Sequence, residues 1–269
     1  MYPNTATARC TAQKTMIFTG PHFYLGLIQI ALVAAYVLIA VYVAGRSRVF
    51  DRVGAWLIGA YLLMYKFNEY GPFRAVPVDL SAVSYFLFGV AAFVPFRPLK
   101  AAGSFSAMLS GSVYFFTMIL YPETHVENLL DNRWFLLTMA MVNHNVMFFG
   151  GMLVCAEYRF ERTDYAWVLG WMAFYLTYFQ LITVGYDITE GVTTIAEIVD
   201  GSLVAEVLGV PLTSAYYAIY YIIVALALAL IFVLFKCINS AFMRRKDRDK
   251  HRFLSYADMR PAWESMFRC

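Results

Sequence analysis

FYLGLIQIALVAAYVLIAVYVA, residues 23–44, contains no charged residue. As a helix rising 1.5 Å per residue it is about 33 Å long, which matches a hydrocarbon core of about 30 Å. Six further apolar segments follow, at 53–70, 76–96, 101–121, 134–156, 165–186 and 213–237. Each has the length of a membrane-crossing helix, about 18–25 residues. The whole chain of 269 residues is 61% hydrophobic and only 14% charged, with a mean hydropathy of +0.60. A water-soluble domain usually carries about 25% charged residues on its surface. These charges are too few for that role. The reading is therefore an all-α, polytopic membrane bundle of seven transmembrane helices.

Several details fit that frame. The second segment is the weakest, because Lys66, Asn68 and Glu69 interrupt its end. The fourth is rich in Gly and Ser, which suits close helix packing. Pro77 is expected in the first turn of the third helix, where a missing N–H costs nothing. Pro95 and Pro98 mark that helix's end.

The basic residues set an orientation. One set of connections holds Arg9, Lys14, Arg74 and Arg133, a total of 4. The other holds Arg46, Arg48, Arg52, Arg97, Lys100, Arg159, Arg162, Lys236, Arg244, Arg245, Lys246, Arg248, Lys250 and Arg252, a total of 14. The positive-inside rule assigns the second set to the cytoplasm, with the N-terminus outside and the C-terminus inside. The organisation expected is a polar tail at 1–20, a seven-helix domain at 21–240 and a basic cytoplasmic tail at 241–269. The N-terminal tail lacks the apolar core and small-residue site of a signal peptide. The basic run MRRKDRDKHR, residues 243–252, should lie against anionic headgroups. Segment 187–212 is acidic and free of Lys and Arg. Its apolar spacing fits either a short amphipathic helix on the outer surface or a plain solvated loop.

Ionisable residues within a span are costly and usually face the bundle interior. The candidates are Lys66, Glu69, Asp79 and His144, with Asn143 and Asn145 beside the histidine and Gln180 in segment six. His144 is ten residues into its segment, about 15 Å deep and close to the midplane. The others fall toward the outer side, so the expectation is a polar outer half above an apolar, nearly uncharged inner half. Lys66 and Glu69 are equally suited to pairing with each other along one helix face, and Asp79 suits a helix start electrostatically.

Other chemistries find no support. Of His22, His125, His144 and His251 only His144 lies at membrane depth, so no bis-histidine haem is offered. There is no H-E-x-x-H spacing, no phosphate-binding G-x-x-x-x-G-K loop, and no lysine inside segment seven for a retinal Schiff base. No metal and no soluble cofactor is expected, and no nucleic acid. Cys10, Cys155, Cys237 and Cys269 form no C-x-x-C pair and read as small apolar filler. The partners implied are membrane lipids and further membrane subunits. Which membrane system is left open.

The order of motifs resembles the YwaF-like family of bacterial integral membrane proteins, whose eukaryotic relatives include a transmembrane acyltransferase acting on ether phospholipids. The resemblance runs through FTGPHF (18–23), VPVDLS (76–81), Gly111 with Pro122 and Glu123, VNHN (142–145), VGYD (184–187) and SAYY (214–217). It implies a lipid acyltransferase or lipid hydrolase. In that family a cysteine of the third-span motif is thought to carry the acyl chain, working with the later histidine. Ser81 stands at the cysteine position here, Asp79 replaces the motif's first histidine, and His144 is retained. A serine serves as acyl carrier if a base takes its proton. The implied roles are Ser81 as nucleophile, His144 as base, and Asp79 or Glu69 as an orienting or charge-balancing acid. The alternative is a non-catalytic subunit or lipid-binding protein that has kept the fold.

Overall fold

The computed structural model describes residues 22–70, 76–120, 122, 134–186, 201–202, 204–205 and 209–248. Among these residues the protein is all-helical, with seven long helices and no strand. They are α1 (Phe23–Val43), α2 (Arg48–Tyr70), α3 (Leu80–Phe93), α4 (Arg97–Leu120), α5 (Trp134–Glu157), α6 (Arg162–Tyr186) and α7 (Ser214–Arg248). Four of them, α1, α4, α5 and α7, are long and apolar enough to cross a membrane. The expected surface helix at 195–208 lies largely outside the described residues.

Large apolar side chains cover the outside, and the mostly apolar core also takes in polar ones. Leu57, Met64, Phe116, Phe135 and Leu226 are each more than 60% exposed. Gln29, Lys66, Lys100, Asn143, Asn145 and Asn239 are buried. An apolar exterior with the polar groups drawn inside is what a lipid solvent allows. The packing centre is the pair α4 and α5. A run of small residues on α4, Ala101, Ala102, Gly103, Ser104, Ser106 and Ala107, is buried and lets neighbours approach closely. α2 and α3 flank the pair on one side and α1 on another, while α6 packs on α4.

The third helix differs from expectation. It begins at Leu80, after non-helical residues 76–79, so Pro77 precedes the helix instead of occupying its first turn. Fourteen helical residues cover about 21 Å. α7 differs in the other direction. It runs 35 residues, well past the expected end at 237.

One end of the bundle gathers the last turns of α1, α5 and α7 and the first turns of α2, α4 and α6. This basic end is densely knit. Gly45 turns the chain with φ of 76°, a backbone region that favours glycine. Its N–H donates to both carboxylate oxygens of buried Asp51, at 3.0 and 3.1 Å. Arg97 grips Asp164 with two bonds, Nε to Oδ1 at 3.0 Å and Nη2 to Oδ2 at 2.8 Å. Lys100 pairs with Glu157 through Oε2, and the other oxygen, Oε1, has no hydrogen-bond partner among the described residues. Asn239 of α7 donates to the carbonyls of Cys155 at 2.7 Å and Tyr158 at 2.8 Å, and accepts from the Phe160 N–H at 2.9 Å. Arg245 donates to the carbonyls of Val41 and Ala44. Burial holds the Tyr158 hydroxyl's pKa well above its ordinary value, so it stays a neutral partner for Ser104 at 3.0 Å. The expected uncharged inner half is therefore corrected: this end buries Asp51, Lys100 and Asp164. In sequence each looks like part of a solvated loop, and for Lys100 and Asp164 the partner lies far along the chain.

Candidate functional site

Midway along α5 three successive residues turn to three different neighbours, as a helix advancing about 100° per residue requires. Asn143 accepts a hydrogen bond from the Tyr61 hydroxyl of α2 at 2.6 Å. Asn145 exchanges hydrogen bonds with Gln29 of α1 at 3.2 and 3.3 Å, and donates to its own helix at Met141 O, 2.7 Å. His144, between them, faces α3 and α4. The backbones of α4 and α5 close together at this level. A Cβ on Gly111 would lie 2.7 Å from the Phe148 Cβ and 3.2 Å from the His144 carbonyl oxygen, so only glycine fits.

The His144 ring is held on several sides. It stacks on Tyr114 of α4, with centroids 4.0 Å apart and planes within 6°. Tyr85 of α3 meets it edge-on, at 5.6 Å and 68°. Nδ1 lies 2.7 Å from the Ala140 carbonyl oxygen. A carbonyl can only accept, so Nδ1 carries a proton and is fixed against the helix's own backbone.

The second charged element is Lys66 of α2, which is 8% exposed. Its Nζ lies 4.9 Å from the centroid of Tyr85 and 5.4 Å from that of Tyr65. Ring faces stabilise a cation by about 0.5–2 kcal/mol, more as water is excluded. Tyr85 thus connects Lys66 to His144. Ser81 is half-buried one helical turn before Tyr85, on the same face of α3.

The candidate residues divide. Lys66, Asn143, His144 and Asn145 belong to one buried layer spanning α1 to α5, and Ser81 stands on the α3 face that enters it. Asp79 and Gln180 are exposed. Asp79 sits before α3 in extended conformation with no side-chain cap. The side chain of Glu69 lies outside the described residues. Tyr61, Tyr85, Tyr114 and Gln29 complete the layer, beyond the residues that sequence singles out. Gln29 has a visible signal, as the one amide in 22 otherwise apolar or small residues. The tyrosines have none, since a ring in a span reads equally as packing. Among the described residues no group of three His, Cys, Asp or Glu side chains can hold a metal ion. No protein family, no curated protein and no solved structure matches the chain.

Proposed function

We propose that the chain is a seven-span membrane protein, N-terminus outside and C-terminus in the cytoplasm, that transfers or hydrolyses lipid acyl groups at the Ser81–His144 layer. The orientation rests on the 4-to-14 bias of basic residues. The observation that carries the chemistry is the bond that holds His144 Nδ1 on the Ala140 carbonyl. A base must present a lone pair toward its nucleophile while the other ring nitrogen is held. Here the Ala140 carbonyl does the holding, where a hydrolase triad uses a carboxylate. Asp79, being exposed, is left out of that role.

In this reading Ser81 Oγ attacks a lipid ester carbonyl and passes its proton to His144 Nε2. The alcohol leaves with that proton, and an acyl-serine remains. Water or an acceptor hydroxyl then attacks the acyl-serine, giving its own proton to His144, which returns it to Ser81 Oγ as the acyl group departs. Lys66 supplies positive charge for an anionic headgroup or a developing oxyanion. The resemblance of VPVDLS and VNHN to the YwaF-like motifs supports the same roles.

A lipophilic fluorophosphonate probe tests this. Labelling of the purified protein should occur and disappear in both Ser81→Ala and His144→Phe. Labelling that survives Ser81→Ala sinks the proposal. A second reading, a non-catalytic lipid-binding subunit, is favoured by Asn143 and Asn145, whose amides are taken up by hydrogen bonds between and within helices. Unlabelled protein that retains bound phospholipid through purification would favour it.

A further inference from the structure

The stretch that leads into α3 has an unusual support. Asp79 O is the first carbonyl taken into the helix, accepting from the Val83 N–H at 3.0 Å. The two carbonyls before it, of Pro77 and Val78, precede the helix. In a water-poor setting each needs another donor. α6 provides both. The Tyr178 hydroxyl donates to Pro77 O at 2.7 Å, and the Tyr175 hydroxyl to Val78 O at 3.0 Å. Tyr175 and Tyr178 are three apart, so they stand on one face of α6, and they bind two consecutive peptide groups. Val78 and Tyr175 are buried.

This geometry does more than satisfy two oxygens. A single hydrogen bond leaves a peptide free to rotate about it. Bonds to two successive carbonyls fix the direction of the chain. The chain so fixed is the one that sets where α3 begins and at what rotation, and Ser81 is the second residue of α3.

We propose that Tyr175 and Tyr178 are positioning residues that set the location of Ser81 relative to His144. The role rests on the reading of Ser81 as nucleophile. Neither tyrosine touches the reacting atoms. Each acts through the backbone at 77–79. Loss of either hydroxyl lets the start of α3 fray and turn, so Ser81 spends less time at the base and more time accessible to other reagents.

The test uses the full-length chain carrying Ser81→Cys, with exposed Cys237 as internal reference. Alkylation by N-ethylmaleimide is followed by mass spectrometry at Cys237 and at the thiol introduced at position 81. Tyr175→Phe and Tyr178→Phe should each raise the rate at the introduced thiol, relative to that at Cys237, about fivefold, the size of one typical hydrogen bond. Each should also lower fluorophosphonate labelling of the native serine by a similar factor. Asn239→Ala, which weakens the far end of the bundle beside Cys237, should leave the absolute alkylation rate at the introduced thiol unchanged, so general destabilisation does not mimic the effect. The single variants keep the comparison readable if the double variant does not fold. A ratio within twofold of the parent in both Phe variants overturns the positioning role while the functional reading stands. Labelling that survives Ser81→Ala removes the functional reading, and the positioning role with it.

Discussion

The basic end and the His144 layer both bury polar side chains, yet they do so in different ways. At the basic end, side chains bind backbone groups and opposite charges on other helices. Asn239 holds three main-chain groups, and Arg97 meets Asp164 with two parallel bonds. Such groups are consumed by their bonds. In the His144 layer the two ionisable groups, Lys66 and His144, lie against aromatic rings. A ring face steadies an imidazole or an ammonium through its π electrons. The comparison separates polarity tied to backbone and opposite charge from polarity cushioned on rings.

Four substitutions put that separation at risk, read by thermal unfolding in detergent. The largest effect should come from Arg97→Met, which leaves the Asp164 carboxylate, 1% exposed, without its cationic partner and with the Glu161 N–H still donating to it at 2.7 Å. Breaking a buried pair from one side costs about 3–5 kcal/mol, and the lower value is expected because Arg97 is 42% exposed. A loss below about 1 kcal/mol would show that the pair is dispensable. Next is Asn239→Leu, which strips three backbone groups at the α5–α6 turn and should cost about 2 kcal/mol. Asn145→Leu strands buried Gln29 and should cost about 1 kcal/mol, in line with hydrogen bonds between membrane helices. The smallest effect is expected from His144→Phe, within about 0.5 kcal/mol, because the ring stack on Tyr114 survives. The same variant should lose all fluorophosphonate labelling. If it unfolds the bundle instead, the layer is structural and the comparison fails.

How much of this is legible in the sequence depends on the distance over which each feature is encoded. Apolar blocks are local, so the helix positions can be read directly. His144, Asn143, Asn145 and Lys66 are legible for a related reason, since a polar residue inside an apolar block is conspicuous. The charged collar is not. Arg97 and Asp164 are 67 residues apart, and each alone looks like a solvated loop residue. Asn239 escapes notice because α7 continues past its apolar block, and Phe235, Asn239 and Phe242 follow one another at helical spacing along its buried stripe. Asp79 is the harder case, since a carboxylate at a helix start looks the same in sequence whatever it faces. Tyr175 and Tyr178 carry a spacing signal, yet nothing in sequence indicates that their acceptors are main-chain atoms of 77 and 78.

The collar also has a consequence for how the protein is made. Arg245 reaches the Ala44 carbonyl across 201 residues of chain, and Asn239 supplies partners to a turn synthesised some 80 residues earlier. Neither bond can form until α7 has emerged from the ribosome and entered the bundle. Until then the carbonyls of Cys155 and Tyr158 and the N–H of Phe160 wait without the donor and acceptor that complete them. Assembly of the bundle therefore closes with α7.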